Sequence, residues 1–115
     1  MRLALALMAC MAMAAAHAAR AEDARLEEPK VQGQPVDHCA DVNAENDCSD
    51  AAAARAAAKV CAENGYAEQT GSHWRPASGT AMHYVVEYDM HAGEVGGRWM
   101  AKPTTGTFDW IACKK

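Results

Sequence analysis

Residues 49–65 read SDAAAARAAAKVCAENG, and after Gly65 the spacing of apolar residues changes from helical to alternating. Ser49 predicts an N-cap, because its hydroxyl can accept a hydrogen bond from the first helical turn. Alanine is the strongest helix former, and Gly65 after Asn64 is typical of a left-handed helix end. The stretch therefore predicts one helix whose buried face is made of small residues, which lets it lie close to a sheet.

The chain after this helix predicts a run of short strands. Residues 75–80, RPASGT, are echoed by residues 102–107, KPTTGT, and each copy has the proline and glycine of a four-residue hairpin loop. Glycines at 93, 96 and 97 indicate a third turn. The strands are expected at residues 67–75, 80–90, 97–102 and 107–113. We expect an α+β fold in which one helix packs on a four-stranded antiparallel meander.

The turn positions also predict which residues share a face of the sheet. A loop over residues 103–106 places Trp99 opposite Trp110, and the glycine turn places Asp89 opposite Arg98. One face then collects most of the aromatic side chains, and we expect the helix to cover it. The residues of this face are Met82, Tyr84, Val86, Tyr88, Trp99, Ala101, Phe108 and Trp110.

Four cysteines remain once an N-terminal segment containing Cys10 is removed, and they predict two disulfides that staple the domain. An even set is typical of a small exported domain, whereas a metal site is disfavoured by irregular spacing and the lack of a CxxC motif. Cys48 and Cys61 are too far apart along the helix to bond. The favoured pairing is Cys39–Cys48 with Cys61–Cys113. Strict alternation turns Cys113 away from the helix, so Cys39–Cys61 with Cys48–Cys113 remains the alternative.

The N-terminal residues predict export. Residues 1–18 combine Arg2, an apolar run too short to span a membrane and an A-x-A cleavage site, which is the pattern of a signal peptide. Cys10 lies in a weak likeness of a lipoprotein box, and loss of this cysteine with the signal is the simpler interpretation. Residues 19–37 are charged and interrupted by prolines, which predicts a flexible acidic leader before a single domain at 38–115. No membrane span is expected after cleavage.

The charge balance excludes one class of partner. The formal net charge is −4, and cleavage of the signal would remove a basic residue and no acidic one. A nucleic-acid binder needs a basic surface to neutralise phosphates, so nucleic-acid binding is not expected.

The second face of the sheet is expected to be polar and exposed, and it holds the candidate residues for binding a ligand or a partner. Side chains two residues apart on a strand stand close enough to approach one ligand or one ion. Polar residues of this kind are also typical of an ordinary exposed strand face. The candidates are His83, Glu87, Asp89, Arg98 and Asp109.

A second polar pattern precedes the helix. Oxygen-bearing side chains alternate in a way that resembles a calcium loop, at Asp41, Asn43, Glu45 and Asp47. Asn46 stands where the loop needs glycine, and Ala52 stands where a bidentate glutamate is needed. The pattern favours a solvated acidic loop over a metal site.

These observations favour a small exported non-enzymatic protein that binds another protein of the cell envelope or the extracellular space, as an inhibitor or immunity factor does. No catalytic residues and no cofactor are predicted. A small-molecule or metal-binding module that uses the polar sheet face is the first alternative, and a small hydrolase with His83, Glu87 or Asp109 in its site is the second.

Overall fold

The computed structural model describes residues 23–115, which fold as one helix against a mixed eight-stranded sheet. The predicted signal peptide and Cys10 lie outside the described residues. The elements are β1 (Ala24–Glu27), β2 (Lys30–Val31), β3 (Gln34–Val42), β4 (Glu45–Asp47), α1 (Asp50–Glu63), β5 (Glu68–Pro76), β6 (Thr80–Asp89), β7 (Gly93–Pro103) and β8 (Gly106–Lys114).

The helix prediction is confirmed. The Ser49 hydroxyl accepts a hydrogen bond from the backbone N–H of Ala52 at 3.2 Å, and Gly65 has a left-handed φ of 86° just after the helix. The buried face of α1 consists of small residues, as expected, namely Ala52, Ala53, Ala56, Ala57, Val60 and Cys61. In the described part of the chain, no helix is long and apolar enough to span a membrane.

The predicted four-stranded antiparallel meander is wrong, although strands form near all four predicted positions. The strand order is β1-β8-β3-β6-β7, with β5 on β8, and the pair β3–β6 is parallel. The predicted hairpins β5–β6 and β7–β8 are not formed in residues 23–115, and β5 pairs with β8 instead. The predicted pair β6–β7 forms in a different register, which places Tyr84 opposite Trp99. Neighbouring strands in sequence pair only about two-thirds of the time, and here β3 separates β8 from β6.

The two echoed loops pack on each other instead of closing hairpins. The N–H of Ala77 donates to the carbonyl of Thr105 at 3.1 Å, and the N–H of Thr104 donates to the carbonyl of Gly79 at 2.9 Å. The positive φ predicted for the loop glycine is present at Gly79, where φ is 95°, but not at Gly106. Each loop carries the chain across β3 at the same end of the sheet.

Residues 24–37 form strands, which corrects the prediction of a flexible leader for that segment. Val36 is fully buried at the start of β3, and β1 pairs with β8 from Ala24 to Glu27. The average composition of residues 19–37 is polar, but a few alternating apolar residues are enough to form a strand when one face of that strand is buried in the sheet. The core lies between α1 and this sheet.

Both predicted disulfides of the favoured pairing are present. Cys39 bonds Cys48 across the β3–β4 hairpin, and Cys61 of α1 bonds Cys113 of β8. Cys113 faces the helix because the β5–β8 ladder shifts register between His73 and Trp74, which changes the alternation along β8. These disulfides are compatible with an oxidising compartment outside the cytoplasm.

Candidate functional site

The most ordered polar site lies where β3 bulges away from β6. Between the paired positions Val36–Met82 and Ala40–Tyr84, β3 advances four residues while β6 advances two. The extra residues of β3 include Asp37, whose Oδ1 accepts a hydrogen bond from the backbone N–H of Cys39 at 2.9 Å. Bulges of this kind redirect side chains, and here the bulge directs Asp37 toward β6.

His83 of β6 lies opposite this bulge and is only 2% exposed. Its Nδ1 is 3.0 Å from Oδ2 of Asp37, and its Nε2 is 2.9 Å from Oδ1 of Asp41. Lys102 of β7 completes the cluster by donating to Oδ2 of Asp41 at 2.7 Å. We name these four residues the β3–β6 charge cluster.

The electrostatics of the cluster favour a protonated His83. Burial disfavours the imidazolium, but hydrogen bonds and charge interactions with Asp37 and Asp41 outweigh burial and raise the pKa of His83. The hydrogen bond from Lys102, assisted by His83, lowers the pKa of Asp41. Two carboxylates, an imidazolium and an ammonium balance in charge, which is how a buried ionic group is accommodated.

This geometry changes the interpretation of the predicted polar face. His83 is a core residue, and a carboxylate occupies each of its ring nitrogens, so neither nitrogen is available to a ligand or as a general base. Glu87 and Asp89 are exposed farther along β6, and Oδ1 of Asp89 caps the turn by accepting from the backbone N–H groups of His91 and Ala92.

The remaining candidates of the polar face are not brought together. Arg98 is exposed on β7 opposite Val85, and not opposite Asp89 as predicted. Asp109 lies in β8, where it forms ion pairs with His73 and Arg75 of the neighbouring strand β5.

The four oxygen-bearing residues of the calcium-like pattern lie in or beside the β3–β4 hairpin and make separate contacts there. Asp41 belongs to the charge cluster, and Oδ1 of Asn43 accepts from the backbone N–H of Tyr88 at 2.8 Å. Glu45 pairs with Val42 in the ladder, and Oδ1 of Asp47 accepts from the backbone N–H of Ser49 at 2.9 Å. Each of these four residues therefore contacts a different partner, and they do not converge on one point where an ion could bind.

Sequence reasoning missed a cluster around the Cys39–Cys48 disulfide. The His38 ring is buried and stacks on Trp74 with a centroid separation of 3.7 Å, and its Nε2 is 3.4 Å from Cys39 Sγ. A pocket of about 330 Å³ opens at the disulfide, between the charge cluster and Thr105. The one feature of the sequence that could have indicated this cluster is the adjacent pair His38 and Cys39.

A third feature is the far end of the β6–β7 hairpin, residues 87–95, which we name the hairpin tip. Tyr88 is 49% exposed, Met90 86% and Val95 45%. Arg55 of α1 holds the tip toward the helix, because it forms a salt bridge with Glu94 at 2.6 Å and its guanidinium lies 5.1 Å from the Tyr88 ring centroid.

Comparison of the chain with protein-family models, with curated proteins and with solved structures found no match.

Proposed function

We propose that this chain is an exported, non-enzymatic binding protein whose hairpin tip contacts a basic protein of the cell envelope or the extracellular space. The observation that carries the proposal is the group of exposed apolar side chains at the tip, Tyr88, Met90 and Val95. They lie outside the core, with Tyr88 and Val95 on opposite faces of the hairpin, and exposed apolar groups on one projection are typical of interaction sites.

The tip has the composition of a binding surface. Tyrosine is enriched among the residues that dominate binding energy, and methionine adapts its shape to irregular partner surfaces. The tip also has internal contacts, because Asp89 accepts two backbone hydrogen bonds in the turn and Glu94 forms a salt bridge with Arg55. Preorganisation reduces the entropy that a contact loop loses on binding.

Charge argues for a basic partner. The formal net charge of the chain is −4, and Glu87 and Asp89 flank the apolar side chains of the tip. Glu94 is already neutralised by Arg55, so the free acidic groups stand beside Tyr88 and Met90. Complementary charges around an apolar centre increase the association rate and select the partner.

Site-specific crosslinking tests this proposal. A photoreactive amino acid at Met90, and as a control at Lys59 of α1, is activated in an extract of envelope and extracellular proteins. A protein crosslinked at the tip but not at the control position is then purified, and its affinity for the unmodified chain is measured by calorimetry. Capture alone does not count as support.

The matched variants are Met90→Asp at the tip and Met100→Asp, an exposed methionine of β7 outside the tip. We expect Met90→Asp to weaken binding about 30-fold, the equivalent of a hot-spot loss of ~2 kcal/mol, and Met100→Asp to leave it unchanged. Equal effects of both variants, or a purified partner that is acidic, would overturn the proposal. So would a tip-dependent dimer of the chain itself in light scattering.

A further inference from the structure

The two disulfides occupy different environments. Cys61 and Cys113 are 0% and 2% exposed, whereas Cys39 is 4% exposed and its partner Cys48 is exposed on the β3–β4 hairpin. Because exchange requires a thiolate to reach a sulfur, the Cys39–Cys48 bond is the more accessible of the two to an external reductant. The pocket at the disulfide is lined by both of these cysteines.

His38 packs against this disulfide from the buried side. Its Nε2 lies 3.4 Å and its Nδ1 3.9 Å from Cys39 Sγ, and within residues 23–115 the ring nitrogens contact no other hydrogen-bonding group. A disulfide sulfur is a weak acceptor for a buried imidazole. The ring is therefore stacked on Trp74 with only a weak hydrogen-bonding partner, which leaves its nitrogens able to bind a stronger one.

The donor atoms of His38, Cys39 and Cys48 lie within 4.8 Å of one another. On a tetrahedral zinc ion, with Zn–S near ~2.3 Å and Zn–N near ~2.0 Å, a nitrogen and a thiolate are about 3.5 Å apart. The nitrogen of His38 and the sulfur of Cys39 already have this spacing. Breaking the disulfide frees the second sulfur to separate to its own position on the ion.

We propose that Cys39–Cys48 is an exchangeable disulfide and that its dithiol form binds one zinc ion through His38, Cys39 and Cys48. A thiolate of an external dithiol attacks Cys48 Sγ, the S–S bond breaks, and Cys39 leaves as a thiolate. The second thiol of the reductant resolves the mixed disulfide, so the reductant is oxidised by two electrons and Cys48 is released. Binding of Zn²⁺ to the two sulfurs as thiolates releases the protons that they carry as thiols.

The hairpin holds the ligands in place without the covalent bond. β3 and β4 remain paired at Ala40–Asp47, Asp41–Asn46 and Val42–Glu45, and the charge cluster fixes β3 to β6. The pocket that Cys39 and Cys48 line together with Asn46 and Thr105 leaves room for a water molecule as the fourth ligand.

The first measurement is selective reduction of the folded protein by dithiothreitol, followed by alkylation and mass spectrometry. We expect Cys39 and Cys48 to be alkylated while Cys61 and Cys113 remain bonded, with the near-ultraviolet circular dichroism of the tryptophans retained. Alkylation of all four cysteines at one rate, or loss of that signal on reduction, would contradict the proposal.

The second measurement is a zinc titration against a chromogenic chelator, with Cd²⁺ used to detect thiolate–metal absorption. The dithiol form should bind one ion per chain and the oxidised form none. His38→Phe keeps an aromatic ring against Trp74 and removes the ligand, and it should weaken binding by more than about 100-fold, since even outer-shell losses cost ~10–100-fold.

His73→Phe, on the exposed face of β5, is the matched control and should bind zinc like the unmodified chain. Equal zinc affinity of His38→Phe and the unmodified dithiol form would overturn the ligand assignment. Binding by the oxidised form as tight as by the dithiol form would overturn the site altogether.

Discussion

At the scale of single residues, two buried histidines are perturbed in opposite directions. Burial lowers the pKa of His38, and the opposing charge of Asp37 is too weak to reverse this shift. Burial also acts against the charge of His83, but Asp37 and Asp41 together raise its pKa. The difference arises because carboxylates contact both nitrogens of His83, whereas the nitrogens of His38 face a disulfide sulfur.

These shifts predict a maximum in stability near pH 6.5, the ordinary histidine pKa. His83 binds its proton more tightly in the folded state, so its contribution is complete below pH 6.5 and is lost as pH rises through its folded pKa. His38 binds its proton less tightly in the folded state, so stability is lost as pH falls from 6.5 toward its folded pKa. Urea unfolding between pH 4.5 and 9 measures both limbs.

Single variants separate the two limbs. His83→Gln should flatten the decline above pH 6.5, and His38→Phe should flatten the decline just below it. Asp41 adds a separate loss of stability at more acidic pH, because its pKa is lowered in the folded state. A stability that rises steadily from pH 6.5 to 9 in the unmodified chain would refute the assignment of His83.

At the scale of elements, the packing at the start of β8 requires a residue without a side chain at Gly106. A Cβ built at Gly106 would lie 2.6 Å from Trp74 and 2.9 Å from His38, so both rings of the stack approach the backbone there. Gly71, on the partner strand β5, has space, since its nearest atom would be 3.8 Å away on Trp110. Neither glycine has a positive φ, so the two sites differ in crowding alone.

We therefore expect Gly106→Ala to destabilise the fold by about 1–3 kcal/mol, the usual cost of overpacking. Gly71→Ala is the matched control and should change stability by less than about 1 kcal/mol, because ordinary contact distances need no repacking. Urea unfolding of both variants measures the difference. Equal stabilities of the two variants would show that Trp74 and His38 can move away from the added methyl group without loss of free energy of unfolding.

At the scale of the whole molecule, the two disulfides constrain the unfolded chain very differently. Cys39–Cys48 closes a loop with a sequence separation of 9, whereas Cys61–Cys113 closes one of 52. In the chain-entropy model, stabilisation grows with loop length, at about 2.5 kcal/mol for the short loop and about 4 kcal/mol for the long one. The long loop also fastens α1 to β8.

We expect replacement of Cys61 and Cys113 by alanine to lower the free energy of unfolding more than replacement of Cys39 and Cys48. The entropic difference is about 1.5 kcal/mol, and loss of two fully buried sulfurs adds to it. Urea unfolding of the two double variants measures this order. A larger loss for the Cys39 and Cys48 variant would indicate that the hairpin bond carries native-state contacts beyond its loop.

The sequence by itself determined the local features of this protein. The Ser49 cap and the alanine face of α1 depend on neighbours in sequence, and the exclusion of a Cys48–Cys61 bond depends on the fixed rise of the helix. Such features follow from backbone propensity and from the fixed rise of a helix, so residue types and spacing suffice to predict them.

Only the tertiary structure decided which strands are neighbours and which polar residues are buried. The parallel pairing of β3 with β6 joins residues 44 to 46 positions apart, and no turn residue encodes such a contact. Once β3 enters the sheet, its bulge supplies Asp37 and its regular ladder supplies Asp41 to His83, and a histidine predicted on an exposed face becomes part of the core. Burial of a charge requires partners, and here those partners come from a segment whose average composition predicts no strand.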